Sequence, residues 1–203
     1  MILPESAAPV SVVLESDLVS RARSGDSQAQ EELALRHRRS AYLLALQLVG
    51  NPEDALDVTQ DAMLRFFSTL HRFDVSRPVK PWLFQIIRNR VQDLRRRHQV
   101  RRYQSLDEVD EDGGQRIDVV DTGSDPEHRA ASAQLRVRVW QALNTLSPGQ
   151  REILVLRDYQ DLSYAEIAAT LAIPIGTVMS RLHAARQRLR QVLQADLRTA
   201  VLQ

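Results

Sequence analysis

Hydrophobic residues recur every three or four positions along most of the chain, which is the spacing of one face of an α-helix. In the first half of the chain this spacing is broken at Gly25, at Gly50 and between Phe73 and Lys80, so it predicts four helices. We expect the third helix to start at Asn51–Pro52 and the fourth at Pro81. The predicted core positions are Ala55, Val58, Ala62, Phe66 and Leu70 in the third helix and Leu83, Ile86, Ile87, Val91 and Leu94 in the fourth.

The same spacing returns after residue 125, where Asp125–Pro126 is a typical helix start. Ser147 with Gln150, and Ser163 with Glu166, have the spacing of capping boxes, so each pair predicts the start of another helix. The low content of breakers, 7 Gly and 8 Pro in 203 residues, favours helices over a many-stranded sheet. The predicted fold class is therefore all-α. The predicted core positions of the helix after Pro126 are Leu135, Val139, Ala142, Leu143 and Leu146.

A short helix and a long basic helix are predicted between residues 163 and 189. The short helix ends near Leu171, and Pro174 and Gly176 then predict a sharp turn before a final helix that starts at about Thr177. A capping box, a tight turn and a basic second helix are together typical of a helix-turn-helix. The alternative is an ordinary helical hairpin whose arginines are simply solvated.

The final helix is predicted to have one buried and one outward face. Val178 and Leu182 are four residues apart and are expected to pack on Ile167 and Leu171. The opposite face can enter a major groove, with its first turn nearest the base edges. The residues expected on that outward face are Thr177, Met179, Ser180, Arg181, His183 and Arg186.

Composition divides the chain into four segments. The stretch Ser105–Asp125 has two adjacent glycines, many acids and few large apolar residues, so it predicts a flexible linker. We therefore expect two small helical domains. The predicted segments are a disordered tail over 1–15, a first domain over 16–102, an acidic linker over 103–125 and a second domain over 126–198.

Charges of opposite sign are segregated, although the formal net charge is only +1. A block of arginines lies between Arg88 and Arg102, acids follow between Asp107 and Asp112, and a second basic zone covers Arg181–Arg190. Solvated helix faces usually mix charges of both signs, so solvation alone explains these blocks poorly. The local charge density instead predicts a polyanionic partner.

Aromatic side chains stand beside arginines at the start of the fourth helix. Trp82 and Phe84 precede Arg88 and Arg90. This combination suits unpaired nucleotides, because bases stack on rings while guanidinium groups bind phosphates. A simple core position for Trp82 is the alternative reading of the same residue.

Acidic residues mark one face of the third helix. Glu53 and Asp54 suit the positive end of the helix dipole and need no other explanation. Asp57, Gln60 and Asp61 lie further along and share one face. A one-sided acidic patch on a basic domain predicts docking to a basic protein surface.

No active-site constellation is visible in the sequence. There is no Cys, no Gly-rich phosphate loop and no serine nucleophile turn, so we expect neither a catalytic residue, nor a cofactor, nor a metal site. The N-terminus lacks the pattern of a signal peptide, and no apolar run approaches the ~20 residues of a membrane span. A cytoplasmic protein with no membrane insertion is expected. The histidines lack metal-ligand spacing and lie at His37, His71, His98, His128 and His183.

Five motifs occur in a fixed order: NPEDALDVTQD at 51–61, WLFQIIRN at 82–89, LSPGQRE at 146–152, LSYAEIA at 162–168 and GTVMSRL at 176–182. With them the chain resembles the sigma factors of bacterial RNA polymerase, in the small extracytoplasmic-function (ECF) group of the sigma-70 family. The resemblance covers about 17–102 and 126–193. It implies two helical domains, named sigma regions 2 and 4, which bind core RNA polymerase at its clamp and flap regions.

The resemblance also implies roles for individual residues. The first domain would recognise and melt the minus-ten promoter element, extruding one base, and the second would read the minus-thirty-five element as duplex. An anti-sigma factor is the expected regulator. The implied polymerase-binding residues are Asp54, Asp57, Gln60 and Asp61. The implied minus-ten residues are Phe73, Asp74, Ser76, Arg77, Lys80, Trp82, Arg88, Asn89 and Arg90. The implied minus-thirty-five residues are Ser163, Thr177, Met179, Ser180, Arg181, His183 and Arg186.

Two departures from the family pattern bear on specificity. The loop between residues 74 and 81 carries two prolines and few aromatics, which leaves the preferred base open. Met179 and Ala184 stand where relatives often have basic residues. A stand-alone helix-turn-helix regulator is the alternative function, but it would leave the first domain without a role.

Overall fold

The computed structural model of the chain describes residues 14–104 and 137–201, with side chains over 14–100 and 137–195. The predicted N-terminal tail, except for its last two residues, and nearly all of the predicted acidic linker lie outside these ranges. So do the predicted helix start at Asp125 and the predicted core residue Leu135. The described residues fold entirely into helices, turns and short connections, as the sequence predicts.

Four helices form the first unit. Helix α1 spans Glu15–Arg23, α2 spans Ser27–Val49 and α3 spans Pro52–Thr69, which a short 3₁₀ turn at Leu70–Arg72 extends. Helix α4 spans Val79–Gln104. The predicted start of α4 at Pro81 is therefore two residues late, because a proline fits within the first turn of a helix as well as at its start.

The predicted caps explain where these helices begin and end. Asp26 accepts hydrogen bonds from the N–H groups of Gln28 and Ala29 at the start of α2. Gly50 ends α2 with φ 84°, in the left-handed region that favours glycine. Asn51 then caps α3 by accepting the N–H of Glu53. These signals are local, so the sequence could show them.

The core of the first unit is the apolar stripe predicted from the spacing. Ala55, Val58, Ala62, Phe66 and Leu70 of the third helix region are all buried. In α4, Leu83, Ile87 and Val91 are buried, whereas Ile86 and Leu94 are only partly buried against the core. Packing these faces together is what holds α3 and α4 side by side.

Four further helices form the second unit over the residues described from 137 onwards. Helix α5 covers 137–144, α6 spans Pro148–Leu154 and continues as one π-helical turn at Val155–Tyr159, α7 spans Tyr164–Leu171 and α8 spans Ile175–Val201. The capping box at the start of α7 is present as predicted, since the Ser163 N–H donates to Glu166 and the Glu166 N–H donates back to the serine hydroxyl.

The turn between α7 and α8 differs from the prediction. The residue in the left-handed region is Ala172, with φ 53°, whereas the predicted turn residue Gly176 lies inside the first turn of α8. Pro174 comes directly before α8, so this helix starts two residues earlier than the predicted Thr177. The left-handed conformation of Ala172 ends α7, and the Ile173 N–H then donates to the Ala168 carbonyl oxygen at 3.1 Å.

Helices α7 and α8 are inclined to each other by 99°. This is the angle range of a helix-turn-helix. Within the described residues, no single helix has the length and apolar content needed to cross a membrane. Only α7 and α8 taken together, across this bend, reach the required length and composition.

The two units share one hydrophobic core and also touch each other through polar contacts. The Thr170 hydroxyl lies 3.4 Å from the Pro81 carbonyl oxygen, and the Gln160 side chain lies 3.5 Å from the Ser40 carbonyl oxygen. Gln160 and Thr170 are both buried. The contact brings the start of α4 against the π-helical turn and α7.

Candidate nucleic-acid interface

The acidic face predicted on α3 is open to solvent. Asp57, Gln60 and Asp61 are exposed, and Asp54 near the start of the helix is partly buried. The buried stripe of α3 occupies the other side of the helix, so helical periodicity alone turns these residues outwards. The face is available to a partner as it stands.

Two leucines that the sequence analysis did not single out flank the acidic residues. Leu56 is 51% exposed and Leu64 is 71% exposed. They are eight residues apart and therefore share a face of α3. The signal was present in the sequence, because neither leucine falls on the predicted core stripe. The acidic face thus also offers an apolar contact area.

Residues 73–78 form the α3–α4 loop, whose turn is shaped by its own side chains. The Asp74 carboxylate accepts hydrogen bonds from the Ser76 N–H at 3.0 Å and from the Ser76 hydroxyl at 2.7 Å. These bonds lower the pKa of the Asp74 carboxyl. Arg77 is exposed and lies 3.4 Å from the same carboxylate. Three predicted minus-ten residues therefore belong to one compact turn.

Phe73 and Trp82 stack on each other. Their ring centroids are 4.6 Å apart and their planes are inclined by 27°. Phe73 is only 6% exposed, and Trp82 is partly buried and lies against Phe66 as well. Phe73 is thus a core residue beneath Trp82 in this arrangement. The alternative reading of Trp82 as part of the core applies to much of its ring.

Two basic residues of the predicted minus-ten site bind to the second unit. The Lys80 ammonium donates to the Gln160 carbonyl oxygen at 2.6 Å, and the Arg88 guanidinium forms an ion pair with Glu152 at 2.9 Å. The sequence could not pair these residues, because they lie in different units and more than 60 positions apart. Both cations are therefore committed within the protein.

Glu152 sits among several arginines in the contact between the units. Burial raises the pKa of its carboxyl, while Arg88, Arg95 and Arg181 act in the opposite direction. The direction of the shift shows that desolvation outweighs the attraction of the arginines. The ion pair between Arg88 and Glu152 therefore lies in a partly desolvated contact between the units.

The remaining predicted residues of α4 differ in exposure. Asn89 is exposed and Arg90 is partly buried. Other members of the arginine block have structural partners: Arg95 donates to the Leu48 carbonyl oxygen at 2.6 Å, and Arg96 pairs with Asp93. Part of the basic block therefore makes contacts within the protein and is not free to bind a polyanion in this arrangement.

The outward face of α8 is arranged as predicted. Val178 and Leu182 are buried, whereas most residues of the opposite face project into solvent. Thr177 is partly buried, and its carbonyl oxygen accepts the Ser180 hydroxyl at 3.2 Å. The exposed predicted residues of α8 are Met179, Ser180, Arg181, His183 and Arg186.

Two predicted minus-thirty-five residues already have partners. Arg186 forms an ion pair with Asp158 of the π-helical turn, and this hydrogen bonding raises the pKa of its guanidinium. The Ser163 hydroxyl is engaged with Glu166 in the capping box. Asp158 was not singled out by the sequence analysis, since nothing local indicates that a π-turn places it beside α8.

No metal-binding cluster is formed by the side chains that the structure describes: three or more His, Cys, Asp or Glu never come together there. The geometry instead offers surfaces. One is acidic and partly apolar on α3, one is a turn with aromatic and basic residues at the α3–α4 junction, and one is the outward face of α8.

Family models match both units. A model of sigma-70 region 2 matches residues 33–101, and a model of sigma-70 region 4 matches residues 136–189. The ECF RNA polymerase sigma factor SigE of Mycolicibacterium smegmatis is 36% identical over 173 residues, which are 84% of this chain and 65% of the relative. The chain thus spans somewhat less than two thirds of that relative's length.

Other relatives match over nearly their whole length. The RNA polymerase sigma factor CnrH of Cupriavidus metallidurans is 34% identical over 184 residues, covering 88% of this chain and 94% of the relative. A structure of CnrH with the cytosolic domain of CnrY superposes with a TM-score of 0.67 at 28% identity, over 90% of this chain and 98% of that one. A structure of the sigma factor RpoE in complex with the anti-sigma factor NepR, from Bartonella quintana, superposes with a TM-score of 0.65 at 26% identity. The superposition covers 82% of this chain and 97% of that one.

Proposed function

The chain belongs to the extracytoplasmic-function group of sigma-70 RNA polymerase sigma factors, and we propose that it directs core RNA polymerase to promoters through the three surfaces described above. The observation that carries this proposal is the presence of regions 2 and 4 in one chain, each with an exposed face of the right chemistry. A stand-alone helix-turn-helix regulator would not account for region 2. We propose no catalytic step for the chain itself, and we expect it to act in the cytoplasm.

The acidic face of α3 is the proposed docking site for the polymerase clamp. Asp57 and Asp61 supply negative charge and Gln60 supplies amide hydrogen bonds, while Leu56 and Leu64 add apolar area at its edges. Such a mixture favours a specific complex, because charges set the orientation and apolar burial contributes affinity. Asp54, partly buried at the start of the helix, would lie at the margin of the interface.

The α3–α4 junction is the proposed site of minus-ten recognition and melting. Asp74, Ser76 and Arg77 form the exposed turn, and Asn89 is exposed on α4 nearby in the chain. Extruding one base from the duplex costs a few kcal/mol, which contacts to the extruded base have to offset. In this proposal Phe73 supports the Trp82 ring from beneath, and the exposed polar residues contact the base.

The outward face of α8 is the proposed reader of the minus-thirty-five duplex. Arg181 and His183 offer hydrogen-bond donors, and the Met179 side chain offers an apolar contact for a thymine methyl group. Arg186 is held by Asp158, so its guanidinium is fixed in place and suits a phosphate contact.

Promoter binding requires the two units to separate. The two elements are about 25 base pairs apart, which is about 85 Å of duplex at a rise of about 3.4 Å per base pair. In the described arrangement α4 touches the second unit directly, through Lys80 and Arg88. We expect these contacts to break in the holoenzyme and to release both cations for the DNA backbone.

An anti-sigma factor is the proposed regulator. The support is the neighbouring structure of RpoE, which holds the anti-sigma factor NepR. A protein that covers the α3 face or the α8 face would prevent docking or promoter reading.

Run-off transcription with purified core RNA polymerase tests the proposed function. The wild-type chain is expected to support initiation from a subset of a promoter library.

Asp57→Arg and Asp61→Arg should weaken assembly with core enzyme by several kcal/mol, because charge reversal in a complementary interface is costly. Asp17→Arg is the matched control on α1. Equal assembly of all variants with core enzyme would remove the docking assignment.

A further inference from the structure

Helix α1 is bonded to both ends of the α3–α4 loop. At one end the Arg23 guanidinium donates to the carbonyl oxygens of His71 and Phe73, at 3.2 and 3.3 Å. At the other end a carboxylate oxygen of Glu15 accepts the backbone N–H of Val79 at 3.4 Å. The two side chains come from the first and last residues of the same helix.

Helix α1 is itself firmly attached to the bundle. Leu18, Val19 and Ala22 are buried in the core. The second carboxylate oxygen of Glu15 lies 2.9 Å from Nε2 of His37, a buried residue of α2. Glu15 therefore contacts α2 with one oxygen and the end of the loop with the other. A loop held in this way takes its position from α1.

The bonds inside the loop do not supply that position. The hydrogen bonds between Asp74 and Ser76 fix the shape of the turn, because both partners belong to it. They do not tie the turn to any helix. The placement of the turn therefore depends on the packing of Val75 against the core and on what holds its two ends.

We propose that Arg23 and Glu15 are positioning residues for promoter opening, which hold the α3–α4 loop where the extruded minus-ten base is read. The inference rests on the proposed function of this loop. Neither residue is assigned a contact with DNA. Both act through backbone atoms at the ends of the loop, and both precede residue 33, where the match to sigma region 2 begins.

The test measures base preference in the holoenzyme. Abortive initiation is assayed on a set of promoters that differ by single bases in the minus-ten element. Arg23→Ala should reduce the ratio between the best and the worst base by roughly threefold to tenfold, which corresponds to one or two lost hydrogen bonds. Arg23→Lys keeps the charge and can donate to one carbonyl, so it should restore part of the ratio. Arg21→Ala is the control. It removes another arginine of α1, which pairs with Asp26 at the start of α2, and it should leave the ratio unchanged.

Variants at Glu15, which holds the other end of the loop, test the proposal independently in the same assay. Glu15→Ala should lower the same ratio, whereas Asp17→Ala on the exposed side of α1 should not. Urea unfolding of each variant shows that the chain is folded at the assay temperature. Assembly with core enzyme should be unchanged, because the α3 face is not involved.

The outcomes separate the two proposals. If Arg23→Ala and Glu15→Ala lower activity on all promoters by the same factor and keep the wild-type ratio, the residues only stabilise the fold and the positioning role is overturned. If the wild-type holoenzyme itself discriminates no minus-ten base, the proposed function of the loop fails, and this inference fails with it.

Discussion

The two proposed DNA-binding surfaces are built in opposite ways. On α8, Met179 and Arg181 project into solvent, and their direction follows from the register of one helix. At the α3–α4 junction, Phe73 is 6% exposed, and Lys80 and Arg88 are bonded to the second unit. Apart from Arg186, which pairs with Asp158, the first surface needs only a stable helix, whereas the second needs tertiary contacts from α1, α3 and α4.

The difference matches what each surface is proposed to bind. An intact duplex presents its major groove, so a convex helix with exposed side chains can read it directly. An extruded base needs a concave site that is already ordered when the base arrives, since ordering the site at that moment would add to the cost of melting. Changes on α8 should therefore affect DNA binding alone, and changes at the junction should affect folding as well.

The largest expected effect is at Phe73. Phe73→Ala should lower the free energy of unfolding by about 3–5 kcal/mol, because a buried ring stacked on Trp82 is lost. Met179→Ala, whose side chain is 54% exposed, should change it by less than about 0.5 kcal/mol. Urea denaturation of both variants measures the contrast. Similar losses for the two would mean that the surfaces are not built differently.

The next effect concerns the α8 face. Arg181→Ala and Arg186→Ala should each weaken binding of the holoenzyme to the minus-thirty-five duplex by about 1–3 kcal/mol, without affecting assembly with core enzyme. Footprinting of the double variant measures the loss. Full upstream protection by the double variant would show that Arg181 and Arg186 make no contact that the duplex needs.

A smaller effect is expected at Asn89, the exposed polar residue of the junction. Asn89→Ala should slow promoter opening by a factor that corresponds to about 1 kcal/mol, since it would remove the hydrogen bond proposed between Asn89 and the extruded base. The permanganate reactivity of unpaired thymines reports opening. A template mismatched across the minus-ten region should restore part of the opening, because the unpairing cost is absent there. An equal loss of opening on both templates would mean that Asn89→Ala impairs folding or docking to core enzyme and does not act on base extrusion.

The turn between α7 and α8 gives a test of similar or smaller size. Ala172→Gly should stabilise the second unit by about 0.5–1 kcal/mol, because alanine is strained at φ 53°. Gly176→Ala should also be neutral or stabilising, since Gly176 is helical and a Cβ there would meet nothing within 4 Å. Thermal unfolding checks both. Destabilisation by Gly176→Ala would indicate that the chain turns at Gly176, as the sequence predicts, and not at Ala172.

The smallest effect is on pH dependence and concerns the attachment of α1. The hydrogen bond from His37 lowers the pKa of the Glu15 carboxyl, with further contributions from the Val79 N–H and from Arg36. A lowered pKa in the folded state means that the stabilisation is fully present above the ordinary glutamate pKa and is lost as pH falls through the lowered value. Wild type should therefore lose slightly more stability than Glu15→Gln as pH falls below the ordinary glutamate pKa, as urea titrations would show. Parallel curves would exclude this contribution.

The sequence by itself determined the helices and the face that each one buries. Periodic apolar residues, the caps at Asp26 and Asn51, and Gly50 act within about four residues of the chain. Because such interactions are local, they can be inferred without knowing the fold. For the same reason the outward face of α8 and the acidic face of α3 were predictable.

One local prediction was nevertheless wrong. Gly176 and Pro174 suggested where the chain turns, but the turn falls at Ala172, a residue that rarely adopts a positive φ. The packing of Val178 against the core fixes the phase of α8 and so places Gly176 within its first turn. Tertiary packing overrode an intrinsic backbone preference that is worth only about 1 kcal/mol.

Only the tertiary structure decided which side chains meet at the α3–α4 junction. Arg23 reaches a carbonyl oxygen 50 residues away, and Arg88 meets Glu152 in the other unit. Whether an arginine faces DNA, caps a loop or pairs with an acid depends on how helices pack, and no spacing within one helix carries that information. The helical face proposed to read duplex is therefore determined by the local sequence, whereas the proposed site for a single base depends on contacts, such as those of Arg23, between segments that are distant in the chain.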